Sequence, residues 1–458
     1  MNPTAPTARP APATRPATAP AAALGSALAA VPATGPATVP ATRAGGGLQR
    51  ARLGVQGTPG RLRVISTVLV LVGLLVGLAG AQSFWAADGA LERADRNAAQ
   101  LVRLQDIQTS LVRADADATN AFLVGGLEPA EQRLDYDAAV EQAARQVAYA
   151  ARAQSADGDA LAALSAAIQR YTGGVVQARA TNRQGLPLGA QYLREASAGL
   201  RADALPLLES LNDANQDRVA AEFAAARRAQ AVVLVAGLVG LALIAGALVW
   251  IARRSHRVLN VPVLAAGVVV LVVLVAAVAA LGSVGAAVTT VKNGSYAAAR
   301  ALSDARVSAF DAKANESLTL VSRGSGAAFE AAWVTSAEAT ATRLADAVGV
   351  DPGSADLETS WAAYTALHQE IRTLDDGGGW DQAVAAAVSR EPGSANAAFA
   401  EFDTRSGEQL SAAGDATSSA LSDAQSGLTA AGWLCLLAGL GAAALAWWGL
   451  SQRIEEYR

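Results

Sequence analysis

Four apolar stretches, 64–83, 230–252, 258–282 and 430–451, contain no Asp, Glu, Lys or Arg, and they limit what this chain can fold into more than any other feature. About 20 such residues suffice to cross a hydrocarbon core of about 30 Å as a helix. Inside lipid the backbone must satisfy its own hydrogen bonds, which leaves helix as the conformation for each run. The runs therefore predict four transmembrane helices in contact with membrane lipids. A buried soluble helix can imitate one such run, but four together do not fit a soluble fold.

Sidedness follows from arginine close to the membrane ends. The link between the second and third runs, 253–257, reads RRSHR; Arg50, Arg52, Arg61 and Arg63 precede the first run, and Arg453 and Arg458 follow the fourth. These three positions share one side of a four-pass chain, and their positive charge assigns both termini to the cytoplasm of a multi-pass plasma-membrane protein. Arg227 and Arg228, outside the second run, oppose this, but long loops translocate largely regardless of charge. Segments 84–229 and 283–429 then face the exterior. The first run lies too deep in the chain and is too long for a cleaved signal peptide. The tail, 1–60, holds ten of the chain's sixteen prolines among Ala, Thr and Gly, has no apolar period, and is expected to be disordered.

The exterior segments read as helical. Leu161, Leu164, Ile168, Tyr171 and Val175 form one seam with steps of three and four; Leu193, Ala196, Leu200, Ala204, Leu207, Leu211 and Ala214 form another. Breakers at Gly125–Gly126 with Pro129, at Ser155–Gly158 and at Gly185–Pro187 divide the first segment into four helices near 84–124, 130–154, 159–183 and 189–229. The second segment has its own seam, Leu357, Trp361, Tyr364, Leu367, Ile371 and Leu374, and breaks near Gly324–Gly326, Gly349–Ser354, Asp375–Gly379 and Glu391–Gly393. RADADATNAFLVGG (113–126) and AFDAKANESLTLVSRG (309–324) are weakly alike. The expected fold is an all-α membrane protein of four transmembrane helices and two extracytoplasmic four-helix bundles, internally duplicated. No breaker separates the first bundle from its spans, so motion outside could pass straight into the bilayer.

No catalytic, cofactor or metal constellation can be assembled. His256 and His368 fall on opposite sides of the membrane, the single cysteine, Cys435, lies in the fourth run, and both GGG triplets read as turn or tail. A net charge of −4 gives no electrostatic case for nucleic acid. The spans lack the mid-membrane ionisable groups of pumps. Gly73 and Gly77 form a GxxxG step. Arg103, Arg113, Arg145, Arg152 and Arg179 suit carboxylate recognition but equally suit solvated helix faces. The hairpin tips offer candidate partner contacts, Gly125, Gly126, Pro187, Gly324, Gly326 and Trp380, the last of which could instead cap the bundle. Arg253, Arg254 and Arg257 are candidate cytoplasmic contacts.

The unit of span, four-helix exterior domain and span resembles the sensor half of bacterial chemoreceptors and sensor kinases, without a signalling coiled coil, kinase or methyl-accepting region after the spans. Two such units are then expected to need a separate output protein. The Pro/Ala-rich tail, four spans, RRSHR link (253–257) and DAKANESLTLVSRG stretch (311–324) together resemble the GlnX-like family of actinobacterial membrane proteins, with which the arginine-for-lysine bias of a high-GC genome agrees. That resemblance implies a relay in which an extracellular solute-binding lipoprotein for a glutamine-type amino acid reports through the membrane to a cytosolic Ser/Thr kinase, protein kinase G. A structural scaffold of the envelope and a subunit of a transport complex are the competing readings, and self-association into a homo-oligomer stays open.

Overall fold

The computed structural model describes residues 58–124, 128–255 and 260–455. Gly125, Gly126 and Arg257, the side chain of Arg254 and almost all of the expected tail fall outside them. Among the described residues the chain is helix and turn, with no strand. Four rods dominate: Gly60–Val124, Leu188–Arg253, Val261–Val321 and Ala395–Gln452, with 65, 66, 61 and 58 residues. At 1.5 Å per residue each extends for about 90–100 Å, three times what a bilayer core requires. All four are long and apolar enough to cross a membrane, and the protein is an all-α, multi-pass membrane protein.

Within the apolar parts the exposed side chains are large and oily. Leu75, Val235, Val272, Leu434 and Leu437 are all at least 60% exposed, which suits acyl chains as neighbours. Tryptophans mark both ends of this zone. Trp85 and Trp433 meet edge-on at 5.2 Å at one end, and Trp447 and Trp448 stand exposed near the other. The GxxxG step lies where two backbones touch. A Cβ on Gly77 would lie 2.7 Å from Gly439 Cα of the fourth rod, and one on Gly73 would lie 2.9 Å from Ala443 N.

Beyond the apolar zone the rods form a polar head. Hairpin Ala130–Ala153 and Gly158–Arg183 joins the first two rods, and hairpin Ala327–Val350 and Ala355–Asp376 joins the third and fourth. Each hairpin turns through a short 3-10 segment, Ser155–Asp157 or Pro352–Ser354, so the element order repeats. The second unit adds a helix, Trp380–Val388, that the first lacks. One core gathers Leu104, Ile107, Leu111, Tyr136, Leu164, Tyr171 and Leu208. The other gathers Phe310, Trp333, Trp361, Tyr364, Phe399 and Phe402, and also Val112, Ala116 and Leu123 of the first rod. Because the first rod is apolar on two faces, the two bundles share it and pack as one body.

Two details depart from the sequence reading and a third extends it. A π turn at Leu200–Ala204, with Leu205 N–H bonded to Leu200 O, adds a residue just before Pro206, which has no N–H to give to an α ladder. The seam therefore continues through Leu208, Leu211 and Asn215, while Leu207 is half-buried and Ala214 exposed. In the second unit His368 joins Leu357, Trp361, Tyr364 and Ile371 in the buried seam, while Leu367 and Leu374 are only partly covered. Finally, the third rod is interrupted at Gly294 and the fourth at Ser426–Gly427, so that only the first unit runs into its spans without a break.

Candidate functional site

Charged side chains, Arg113 of the sequence candidates among them, converge on a junction where all four rods meet. Arg201, inside the π turn of the second rod, reaches Asp115 of the first rod at 2.8 Å and Asp311 of the third at 2.8 Å. The aspartates are further fixed by Ser197 Oγ, which donates to Asp115 at 2.6 Å, and Ser336 Oγ, which donates to Asp311 at 2.6 Å. Burial disfavours the guanidinium charge of Arg201, but the two carboxylates, by charge and hydrogen bonding, outweigh it and hold the pKa above its ordinary value. π turns recur at functional sites because they re-aim a side chain from an otherwise regular helix.

Asp403 of the fourth rod forms the counterpart with signs reversed. It accepts from Arg306 of the third rod at 2.6 Å and pairs with Arg113 of the first at 3.1 Å. Arg306 Nη1 also donates to Ser406 Oγ at 2.7 Å. Burial, helped by repulsion from Arg113, pushes the Arg306 pKa down despite Asp403. One rod thus supplies a cation to two acids, and another supplies an acid to two cations. The first and third rods take part in both clusters.

A third charged group lies inside the second unit. Glu316, 1% exposed, accepts from Lys313 at 2.5 Å and Tyr364 at 3.2 Å and lies 2.9 Å from His368 Nδ1. His368 stacks on Trp333 at 3.5 Å and meets Glu330 at 3.3 Å. Burial opposes ionisation of Glu316, yet Lys313 and His368 hold its pKa at about 2, and the same carboxylates raise that of His368 against burial.

The candidate tips are distributed differently. Trp380 Nε1 donates to Leu320 O at 2.9 Å, and the guanidinium of Arg323 lies 3.9 Å over its ring, so this residue ties the added helix to the end of the third rod. Gly324, with φ +78°, and Gly326, where a Cβ would lie 2.5 Å from Thr319 O, close that same tip. Pro187 opens the second rod after Gly185, whose φ is +72°. Arg194 Nη1 reaches Ser322 Oγ at 3.5 Å, linking the second rod to the tip of the third. Arg253 stands exposed at the far end of the second rod. None of these positions belongs to the junction. Among the described residues no group of His, Cys, Asp and Glu is placed to hold a metal.

Comparison with known proteins gives one family. Residues 90–224 match the actinobacterial sensor domain. The match covers the head portions of the first two rods and the hairpin between them, including Asp115 and Arg201, and it supports a sensing role in an actinobacterial protein. No curated protein and no solved structure matches the chain.

Proposed function

We propose that the protein is a non-enzymatic transmembrane signal transmitter. In this reading the polar head faces the cell exterior and both termini lie in the cytoplasm. An extracellular amino-acid signal, delivered by a solute-binding lipoprotein docking on the hairpin tips around Trp380, shifts the packing of the rods. A cytosolic Ser/Thr kinase reads the shift at the inner ends, including Arg253. The observation that carries the reading is the junction. Because Arg201 and Asp403 each grip the first and third rods, a displacement of either must be shared by all four. The sensor-domain match over 90–224 supports the same role. A signal can shift such a system only by its differential affinity for the two packings, so the junction must be able to rearrange.

Two measurements test this. Tyr149→Cys and Glu370→Cys, both at exposed positions, should react with a membrane-impermeant maleimide in intact cells; protection of either overturns the orientation. Gene deletion should abolish the change in kinase-substrate phosphorylation that follows addition of external glutamine, and complementation with Arg201→Ala should fail to restore it. An unchanged phosphorylation response in the deletion strain would falsify the relay.

A further inference from the structure

A cavity of about 700 Å³ in the head lies between the first, third and fourth rods, on the membrane side of the Arg113–Asp403–Arg306 cluster, with Arg113 and Arg306 in its wall. Two further guanidiniums, Arg103 and Arg300, line it. Neither forms an ion pair among the described residues. Arg103 donates to Gln100 Oε1 at 3.4 Å, and Arg300 donates to Gln216 Oε1 at 3.3 Å and is attracted by Asp304 one turn further on. The same wall presents three buried polar side chains of the first rod, Gln105, Thr109 and Ser110, at 5%, 8% and 9% exposure and without side-chain hydrogen bonds among the described residues.

Buried polar groups are ordinarily satisfied, and three such side chains on one cavity wall, beside two guanidiniums that form no ion pair among the described residues, fit a polar guest with an anionic group. Three acids line the same cavity, Asp95, Asp106 and Asp415, and among the described residues none of them forms an ion pair with Arg103 or Arg300. Asp106 accepts from Gln146 at 3.3 Å, and burial raises its pKa against the attraction of Arg306. Asp95 is bonded to Ser418 at 2.7 Å. Leu101, Val102, Tyr296 and Leu410 supply apolar wall, so a bare inorganic anion would leave much of the volume unfilled.

We infer that this cavity is a direct binding site for a small organic carboxylate, its carboxyl group held by Arg103 and Arg300 and its body lying against Leu101, Val102 and Leu410. The position is suited to signalling. The guest would touch three rods at once and lie beside the Asp403 cluster, so binding there favours one arrangement of the junction over another. The inference rests on the sensing reading and deepens it by placing a ligand inside the membrane protein itself.

Gly414 supplies the test. It lines the cavity from the fourth rod, and a Cβ built there meets nothing within 4 Å, so Gly414→Phe fills the space with little strain on the rod. The full chain in lipid nanodiscs is titrated calorimetrically with succinate, with L-glutamate and with inorganic phosphate. Saturable heat is expected for at least one of the two carboxylates. Arg103→Gln and Arg300→Gln should each weaken it tenfold or more, and Gly414→Phe should abolish it, while all variants keep the wild-type helical circular dichroism. No heat from either carboxylate, equal heat from phosphate, or carboxylate heat unaffected by Gly414→Phe would each overturn the site. Failure of the relay is separable: carboxylate binding that obeys these substitutions, in cells whose kinase-substrate phosphorylation ignores the gene, keeps the site and removes the kinase.

Discussion

The two halves of the head are built to a similar element order but differ in the continuity of their rods and in where they bury charge. In the first half the rod Thr58–Val124 is a single helix, and its partner is interrupted only by the π turn. In the second half both rods break on the way to the membrane, at Gly294 and at Gly427. The first half centres on Tyr136, Leu164 and Tyr171, whereas the second places Glu316, Lys313 and His368 among its aromatics. Aligning the related stretches on Asp115 and Asp311 sets Asp117 against Lys313 and Asn120 against Glu316. The same positions thus carry different charges, and the two halves face each other across Arg201. If the breaks act as hinges, the first half is a straight element that conveys displacement and the second a hinged one that accommodates it.

The largest effect should come from removing charge inside the second half. Glu316→Ala leaves Lys313, 5% exposed, without its carboxylate, and unpairing a buried charge costs about 3–5 kcal/mol. Chemical denaturation should record a loss of that size, while Asn120→Ala at the matching position should cost about 1 kcal/mol, the value of an ordinary hydrogen bond. Near-equal losses would erase the contrast. The junction comes next. Arg201→Ala strands Asp115, whose side chain is 1% exposed, and should cost about 3 kcal/mol; Asp403→Ala strands Arg306 but leaves Arg113 half in solvent, and should cost about 2 kcal/mol. Because both clusters grip the first and third rods, the double variant should lose less than the sum. Strict additivity would show that the clusters act separately.

Much of the framework was legible locally. The apolar runs, the glycine and proline breakers and the steps of three and four depend on neighbours within a few residues, and those rules hold from Leu161 to Val175 without exception. The GxxxG step was readable, but its partner Gly439 was not, since nothing near Gly73 specifies which rod will lie opposite. The junction was hidden for the same reason. Arg201 and Asp311 lie far apart in sequence, and an arginine beside alanines looks solvated until a second bundle covers it. Arg179 illustrates the point: it was read with the surface arginines, yet it packs 4.2 Å over Tyr136 and pairs with Glu128 at 2.7 Å. His368 was missed because a polar residue at a seam position reads as an interruption, whereas here Glu316 and Glu330 satisfy it.

A smaller effect separates the halves by pH. Burial, aided by Asp135 and Asp403 and opposed by Arg113 and Arg390, raises the pKa of Asp117 from 3.8 to about 7, and its Oδ2 has no hydrogen-bond partner. A carboxyl raised on folding costs nothing below pH 3.8, where both states are protonated; the cost grows up to pH 7 and stays constant above. Asp117→Asn should therefore flatten the fall of Tm between about pH 4 and pH 7 and stabilise the protein by about 2 kcal/mol at pH 8, allowing for partial exposure. His368 acts in a different window. Its pKa is raised above 6.5, so its contribution is complete below that value and is lost as pH rises through the folded pKa. His368→Gln should remove only this upper part of the profile. If Asp117→Asn changes the upper part instead, the assignment of windows to halves fails.

The finest test is of the hinges themselves. Gly427 has φ +81°, a conformation that L side chains rarely adopt, so Gly427→Ala must either strain the break or straighten the fourth rod. Gly199 of the second rod has ordinary helical dihedrals and nothing within 4 Å of a built Cβ. Gly199→Ala should stabilise by about 0.5–1 kcal/mol, because alanine loses less conformational freedom in a helix, and Gly427→Ala should destabilise by about 1 kcal/mol. Opposite signs for one chemical change would mean that glycine is tolerated in the straight element and required in the hinged one. Spin labels at Ser411 and Leu437, on either side of the break, make the distinction mechanical. In the wild type their separation should be broadly distributed, and Gly427→Ala should narrow it if the rod straightens, whereas labels at Asp213 and Val235 of the second rod should give a narrow distribution with glycine or alanine at 199. A broad distribution in the second rod would mean that the π turn bends as freely as Gly427, and the division between a conveying half and a yielding half would then have no physical basis.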